Sequence, residues 1–239
     1  MKLRTVYDFL NEISPFELQE EWDNSGINVG DYNFEVNKIY ISLDIDEKVI
    51  EELEPNSLLI THHPLIFRGV KKVIPNRFST KYLISLIQKN CAHIAMHTNF
   101  DKTHLNTYFA EEILELSGES EDFIYYSDVF MEFDELVKLV KEKMNLNTLR
   151  VVKTKDFIKR VAITTGAGMS LLDNIKADCF MTGDIKYHEA MDAKSREISL
   201  IDIGHFESER YFTDVLYNAI SHLDIEIIKT NSQNPFELI

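Results

Sequence analysis

Short runs of β-branched residues alternate with longer runs of helical periodicity along most of the chain. Strands are predicted at 38–43, 57–61, 91–96, 148–152, 160–164, 178–181, 198–203 and 224–229, and an extended segment at 123–133. Helices are predicted at 6–13, from 14 onward, and at 46–53, 79–89, 103–116, 134–144, 170–175, 187–195 and 207–222. This alternation is typical of an α/β fold in which a mainly parallel sheet carries helices on both faces.

A polar break at 117–122 divides this pattern into two α/β halves of similar size. A chain of 239 residues allows one large domain or two modest ones and easily supports a buried core. We therefore predict an N-terminal α/β domain at 1–120 and a C-terminal α/β domain at 121–239.

Charge and composition exclude some partners. The formal net charge of -15 argues against nucleic acid, since phosphate backbones require Lys and Arg for neutralisation. No apolar run approaches the roughly 20 residues that span a bilayer, and the N-terminus lacks an apolar signal core. Cys91 and Cys179 stand apart in apolar contexts, which favours buried thiols in a reducing compartment. We expect a soluble cytoplasmic protein without nucleic-acid or membrane partners.

Two adjacent histidines, His62 and His63, follow the predicted strand 57–61 in the run ITHHPLIF. Neutral imidazole is the commonest protein ligand for metal ions. Because successive side chains alternate in direction, the two rings are expected to diverge, which would let them reach two different ions. An exposed turn that happens to be rich in histidine explains this run equally well when it is taken alone.

Other predicted strand ends also carry histidine or carboxylate side chains. These residues are Asp44 and Asp46 after 38–43, His97, Asn99 and Asp101 after 91–96, Asp184 and His188 after 178–181, and Asp202 and His205 after 198–203. Ligand sites in open α/β sheets lie outside the carboxyl ends of the strands. Five such ends in one chain predict a polar site there.

The GHFESER motif places His205 and Glu209 four residues apart, so on a helix they share one face and could bind the same ion. Glu207 is assigned instead to the helix N-terminus, where a negative charge contributes about 0.3–1 kcal/mol. In the HTNFD motif, Asp101 is a predicted metal ligand. His97 is predicted to act beside the ligands and is counted among the catalytic candidates.

Several basic residues are candidates for contact with an anionic substrate. Lys186 and His188 follow the Gly-Asp turn and could stabilise charge or transfer protons, although a plain surface helix is the alternative for His188. Arg68, Lys71 and Lys72 could hold a phosphate, but a solvated loop is the favoured interpretation.

Two glycine-containing segments are assigned structural roles. The segment 22–30 is predicted to be a loop around a buried Trp22. The Gly166-Ala167-Gly168 sequence lacks the further glycine or Lys-Ser/Thr of nucleotide-binding loops, so we predict a tight turn between a strand and a helix.

The motifs WDNSG, ITHHPLIF, HTNFD, TGDIKYH and GHFESER occur in this order between residues 22 and 210. Together they resemble the family of GTP cyclohydrolase I type 2 homologues, also called the NGG-one-interacting-factor-three-like family. The resemblance implies two related α/β domains with mainly parallel sheets flanked by helices, a dinuclear metal site at the strand C-terminal ends in the cleft between them, and a ring-shaped homohexamer. The ligands that it implies are His62, His63, Asp101, His205 and Glu209.

By this resemblance, His62 and His63 each serve one ion, His205 joins one and Asp101 the other, and Glu209 bridges or completes the pair. The resemblance implies two divalent cations per subunit, and mixed histidine and carboxylate ligands suit zinc, iron or manganese. Two such ions about 3.5–4 Å apart can activate water and stabilise the attacked group. We therefore expect a metal-dependent hydrolase for a nucleotide or another small phosphorylated metabolite.

A non-enzymatic, metal-stabilised ring that acts as a scaffold, regulator or metal-handling protein is the alternative. One segment departs from the family pattern. Residues 102–106 (KTHLN) stand where many members carry a glycine-containing turn, and this difference bears on the shape of the substrate cleft.

Overall fold

The computed structural model describes residues 1–237 and contains two compact units. The first unit comprises residues 1–100 and the segment from Phe212 onward, and the second comprises residues 101–211. These units differ from the predicted halves at 1–120 and 121–239. The second unit begins earlier in the chain, and the C-terminal segment returns to the first unit because its strand pairs with the sheet there.

Residues 1–237 form eleven strands, numbered here in chain order. They are β1 Gly26–Val29, β2 Lys38–Ser42, β3 Leu58–Thr61, β4 Ala92–Ala95, β5 Gly118–Glu121, β6 Ile124–Glu132, β7 Arg150–Val152, β8 Phe157–Ile163, β9 Cys179–Thr182, β10 Ser199–Asp202 and β11 Glu226–Lys229.

The same described range contains nine α-helical segments. They are α1 Leu3–Ile13, α2 Glu47–Glu52, α3 Phe78–Gln88, α4 Thr98–Phe100, α5 Asn106–Tyr108, α6 Phe133–Met144, α7 Tyr187–Ser195, α8 His205–Glu209 and α9 Phe212–Ile220. Two π-helical stretches, Asp101–Leu105 and Phe109–Ile113, follow α4 and α5. Within residues 1–237, no helix combines the length and the apolar character that crossing a bilayer requires.

The sheet of the first unit has the order β1-β4-β3-β2-β11. Strands β4, β3, β2 and β11 are parallel, and β1 pairs antiparallel at one edge. Ser42 is in register with Thr61, and Thr61 with Ala95, so β2, β3 and β4 end at the same edge of the sheet. This edge positions the side chains described below.

Helices α2 and α3 cover one face of this first sheet. Tyr40 from β2 and Leu59 from β3 pack against Val49 of α2 and against Tyr82 and Leu86 of α3. The parallel strands β2, β3 and β4 are buried on both faces, which explains why their apolar residues are nearly continuous and do not alternate with polar ones.

The sheet of the second unit has the order β5-β6-β8-β9-β10-β7 and is mixed. Only β8, β9 and β10 are parallel to one another, whereas β5, β6 and β7 pair antiparallel. The prediction of a mainly parallel sheet therefore holds for the first unit and fails for the second. The predicted polar break at 117–122 forms β5, and such a short connection to β6 can join only antiparallel strands.

Two apolar cores cover the two faces of this second sheet. Val161 and Ile163 of β8 face the core that contains α6, and Ala162 faces the opposite core beside α7. The alternation follows from the two-residue period of a strand. The fold class is thus confirmed as mixed α/β, with two sheets flanked by helices.

Four predicted helices differ from the structure. The helix predicted at 170–175 is the 3₁₀ helix Met169–Asn174. The helix expected from residue 14 is only the 3₁₀ turn Phe16–Leu18, because the backbone becomes extended again at Gln19. The predicted helix 207–222 is two helices, α8 and α9, and α8 begins earlier at His205. Helical structure around the predicted 103–116 begins at Thr98 and includes both π-helical stretches.

Both cysteines are free and buried, as predicted. Burial raises the pKa of the Cys91 and Cys179 thiols, which keeps them protonated and unreactive. They contribute to packing in separate units and form no disulfide.

Candidate metal centre

Three histidines of the first unit lie together where β3 and β4 end. His62 and His63 follow β3 directly, and His97 follows β4 after one intervening residue. Since Thr61 and Ala95 are in register, both strands end at the same edge of the sheet. The ligand nitrogens of the three rings lie within 4.8 Å of one another. The structure thus brings together histidines from two of the predicted strand ends.

Each of these three rings is held through its Nδ1 atom by an oxygen atom. The pairs are His62 with the carbonyl of Met96 at 2.8 Å, His63 with Oδ1 of Asp44 at 2.9 Å, and His97 with Oδ1 of Asp23 at 2.7 Å. Carbonyl and carboxylate oxygens only accept hydrogen bonds, so Nδ1 donates and carries the ring proton. In the neutral ring this arrangement places the lone pair on Nε2, as in metal-binding histidines.

The rings of His62 and His63 diverge less than the alternation of a strand suggests. Their centroids lie 5.0 Å apart and their planes are tilted by 57°. Strand β3 ends at Thr61, so the chain has already left the extended geometry when it reaches the two histidines. Both rings therefore belong to one cluster and differ mainly in the oxygen atom that accepts the hydrogen bond from Nδ1.

Asp23, in the WDNSG motif, is a functional candidate that the sequence interpretation missed. Its side chain is fully buried and also accepts hydrogen bonds from the backbone N–H of Thr98 and from Oγ of Ser25. Burial raises the pKa of Asp23, but the hydrogen bond and charge of His97 and the hydrogen bond from Thr98 outweigh it and hold that pKa well below its usual range. An ionised Asp23 therefore fixes the orientation of His97.

A buried pair of hydrogen bonds supports the backbone at His63. Oγ1 of Thr61 donates to the carbonyl of His63 at 2.6 Å. A hydroxyl has one proton, so Oγ1 must accept the second bond, which comes from Nε2 of His93 at 2.7 Å. Burial lowers the pKa of His93 to about 3, so this ring is neutral near pH 7. His93 thus stabilises the start of the histidine loop from inside the sheet.

The second unit brings three further candidate ligands together. His205 and Glu209 lie at the two ends of α8, and Asp101 begins the first π-helical stretch. Carboxylate oxygens of Asp101 and Glu209 lie within 4.8 Å of each other, and Nε2 of His205 lies 3.0 Å from Oε2 of Glu209. Both carboxylates are buried. Two neighbouring buried carboxylates are costly unless positive charge or hydrogen bonds compensate them.

His205 is held in the same way as the histidines of the first unit. Its Nδ1 lies 2.7 Å from Oδ2 of Asp184, in the turn after β9, so Nδ1 donates and Nε2 faces Glu209. Two atoms bound to one tetrahedral ion at about 2.0–2.1 Å are separated by about 3.3 Å. The 3.0 Å between Nε2 and Oε2 is close to that value. The donor set therefore fits a divalent cation.

Gly166 makes room for the Glu209 carboxylate. Its φ angle is +63°, and a Cβ atom there would lie 2.0 Å from Oε1 of Glu209 and 3.5 Å from Nε2 of His205. The backbone N–H of Gly166 donates to Oγ of Ser208, and its carbonyl accepts from the N–H of Gly183. The Gly-Ala-Gly segment is the predicted tight turn, and it also shapes the carboxylate site.

The profile of the family described as Duf34/NIF3 (NGG1p interacting factor 3) matches residues 1–235. The chain belongs to the DUF34/NIF3 family. The resemblance inferred from the motifs is thereby confirmed. Its motifs contain Asp23, His62, His63, His97, Asp101, Asp184, His205 and Glu209, whereas Asp44 and His93 lie outside them.

Several similar proteins extend over the whole DUF34/NIF3 chain. A Campylobacter jejuni protein named "GTP cyclohydrolase 1 type 2 homolog" is 50% identical over 239 residues, which covers 99% of each chain. A Helicobacter pylori protein named "GTP cyclohydrolase 1 type 2" is 42% identical over 240 residues, again with 99% of each chain covered.

Solved structures show the same fold. A hypothetical protein of Staphylococcus aureus superposes with a TM-score of 0.87 at 26% identity, covering 100% of this chain and 99% of that one. Reduced HcgD from Methanocaldococcus jannaschii gives a TM-score of 0.82 at 26% identity, covering 96% and 97%.

Lys186 and His188, the other catalytic candidates in this DUF34/NIF3 chain, are both exposed. Lys186 caps α7, pairs with Glu189 at 3.3 Å, and lines a cleft of about 590 Å³ that also contains Asp184 and Arg150. His188 lies on α7, where its ring meets that of Tyr187. Lys186 is therefore near the aspartate that holds His205, whereas His188 remains a surface candidate.

The prediction that Trp22 is buried is wrong, since 58% of its side chain is exposed. The neighbouring Asp23 takes the buried position instead, because it accepts the hydrogen bond of His97. The predicted solvated character of the loop with Arg68, Lys71 and Lys72 agrees with their exposure.

Proposed function

We propose that the protein binds two divalent cations and hydrolyses a nucleotide or another phosphorylated metabolite. The proposed ligands are His62 and His63 of the first unit and Asp101, His205 and Glu209 of the second. His97, Lys186 and His188 are the proposed catalytic residues. A ring-shaped homohexamer is the proposed assembly, and it rests on the family resemblance.

One observation carries the metal-binding proposal. The three histidine ligands and His97 all donate Nδ1–H to a fixed oxygen, from a backbone carbonyl or from an aspartate. Such outer partners set the tautomer and orientation of metal-binding imidazoles. A chance group of surface histidines has no reason to share this arrangement four times.

The donor set also favours particular ions. Imidazole nitrogens with carboxylate oxygens suit zinc, iron or manganese. When bound, two such ions lower the pKa of a coordinated water and stabilise negative charge on the attacked group. Asp101 and Glu209 supply the negative charge that balances the cations. Asp44 and Asp184 keep His63 and His205 oriented as ligands.

The substrate part of the proposal draws on two further observations. Lys186 and Arg150 line the cleft beside Asp184, and these cations suit an anionic group. Relatives that match the whole chain are named GTP cyclohydrolase 1 type 2, which supports including purine nucleotides among the substrates to be tested.

An activity panel on metal-loaded protein tests this function. The protein loaded separately with zinc, iron and manganese is incubated with nucleotides and phosphoesters, and products are followed by mass spectrometry. We expect metal-dependent turnover that His63→Ala abolishes and His222→Ala, an exposed histidine packed on Phe9, does not change. Tight metal binding without turnover on the panel would favour the metal-stabilised scaffold instead.

A further inference from the structure

Two exposed aromatic rings of the first unit stand beside the histidine cluster. Trp22 is 58% exposed and Phe67 is 42% exposed, and their ring centroids lie 5.8 Å apart with a 50° tilt. Both rings meet the His97 ring nearly edge to face, at 6.1 Å and 6.2 Å between centroids. Aromatic side chains of this size are normally buried in a core or an interface. Two that are exposed side by side next to polar side chains indicate a binding surface.

Hydrogen bonds fix the two loops that carry these rings. The carbonyl of Ile66 accepts from Nδ2 of Asn24 at 2.5 Å, and the N–H of Ile66 donates to Oδ1 of Asn28 at 3.1 Å. Asn28 also donates to the carbonyl of Asn24 at 3.0 Å. Both backbone groups of the residue before Phe67 are thus held, one by Asn24 of the loop after Trp22 and the other by Asn28 of β1. The backbone that carries the two exposed rings is therefore held in place by hydrogen bonds.

The backbone at Trp22 is restrained from the other side as well. Asp23 is buried and binds both His97 and Thr98, so the indole is carried by a residue next to a fixed carboxylate. The aromatic pair and the imidazole cluster therefore share one supporting network. A ligand that lies on the rings would be held next to His97.

We infer that Trp22 and Phe67 form a stacking platform for a planar heteroaromatic ring of the substrate. The inference rests on the proposed function and names the class of its substrate. Aromatic faces hold heteroaromatic bases by stacking, and small-molecule sites combine such apolar walls with a few polar groups. Three exposed cations follow Phe67 in the chain, Arg68, Lys71 and Lys72, and they suit an anionic substituent on that ring.

Trp22 is the only tryptophan of the chain, so its fluorescence reports on the platform directly. Metal-replete protein is titrated with guanosine 5′-monophosphate, with ribose 5-phosphate as the matched ligand without a base. We expect saturable quenching with the nucleotide and none with the sugar phosphate. Phe67→Ala should lower the affinity for the nucleotide roughly ten- to hundred-fold, because one stacking partner is lost. Phe67→Tyr should retain the affinity, because it keeps an aromatic ring.

Phe78→Ala is the control, since Phe78 is an exposed phenylalanine of the same unit outside the platform. Metal content and oligomeric state are measured on every sample. Normal metal content without saturable quenching would overturn the platform while leaving the proposed function intact. If the unchanged protein retains no metal after loading but the nucleotide still quenches Trp22 saturably, the platform stands and the proposed function is rejected. Dissociation of the oligomer in Phe67→Ala with unchanged nucleotide affinity would assign the rings to a subunit interface and refute the inference.

Discussion

Asp44 and Asp184 affect the candidate metal centre through the histidines that they hold. Each accepts a hydrogen bond from Nδ1 of a proposed ligand, His63 and His205 respectively. Without these acceptors, each ring could rotate or move its proton to Nε2, and either change removes a metal ligand. The aspartates therefore contribute to affinity without being ligands themselves.

We predict that Asp44→Ala weakens metal binding roughly ten- to hundred-fold, the effect expected when the partner of a metal-binding histidine is lost. Calorimetric titration with zinc measures the change. Asp8→Ala is the control, since Asp8 is an exposed partner of Arg4 on α1. Equal affinities of Asp44→Ala and the unchanged protein would show that His63 is not a ligand oriented by Asp44.

His93 links the buried sheet to the histidine loop, and its burial should make the free energy of unfolding fall in acid. Its pKa falls from an ordinary 6.5 to about 3 in the folded state because the ring is fully buried. The stability that depends on its neutral form is complete above pH 6.5 and is lost as pH falls toward 3, since only the unfolded chain takes up the proton in that range.

At pH 5, this single group should lower the free energy of unfolding by about 2 kcal/mol relative to neutral pH. His93→Gln keeps a donor for Oγ1 of Thr61 but cannot take up that proton. Urea unfolding at pH 7 and pH 5 should therefore show a smaller acid loss in His93→Gln. An identical loss in both proteins would mean that His93 is protonated in the native state.

At the scale of elements, the sequence predicted most strands and helices within a few residues and missed what depends on distant contacts. β2, β3 and β9 each contain a run of apolar residues, and α7 contains neither proline nor glycine, so these elements were recognised from the local sequence. β1 contains glycine and asparagine and lacks such a run, and it exists because it pairs with β4. The split between α8 and α9 was not predicted either, since Arg210 and Tyr211, which separate the two helices, include neither proline nor glycine.

The π-helical stretch Asp101–Leu105 is another feature that no local pattern indicated. Such stretches are rare and occur often at functional sites, because the wider turn changes the direction of a side chain. It contains the first four residues of the KTHLN segment that departs from the family pattern, and it begins one residue earlier at Asp101. The altered residues there thus form a helix with unusual geometry at a proposed metal ligand.

The turn at Gly166 supports a prediction at this scale. Gly166→Ala places a Cβ atom against Oε1 of Glu209 and forces a side chain into a left-handed backbone region, so the carboxylate must move. We expect loss of metal and a lower thermal midpoint in the metal-loaded protein. Gly69→Ala, where a Cβ would meet no atom within 4 Å, should change neither. Full metal content in Gly166→Ala would exclude Glu209 as a ligand.

At the scale of the whole molecule, strand periodicity predicted the fold class but not the extent of the two units. His62 and His63 follow β3 directly, whereas Asp101, His205 and Glu209 lie on the helical segments after β4 and β10. The boundaries were harder, because β11 pairs with β2 across nearly the full length of the chain. Pairing over such a separation leaves no sequence pattern, and neither does the antiparallel pairing of β7 with β10.

Metal removal should affect the stability of the entire protein. An ion that binds only the folded state stabilises it by about 2.7 kcal/mol at a hundredfold excess over its dissociation constant. We expect a chelator to lower the thermal midpoint of the unchanged protein measurably by calorimetry. The same treatment should lower the thermal midpoint of His63→Ala much less. Equal decreases in the two proteins would indicate that the chelator acts elsewhere.

The metal content per chain tests the central claim most directly. Purified protein supplied with zinc, iron or manganese is dialysed and analysed by plasma mass spectrometry, beside His63→Ala and Glu209→Ala. We predict two divalent ions per chain in the unchanged protein and a clear loss in each variant. Protein that retains no ion after loading, or variants that retain the full amount, would contradict the account.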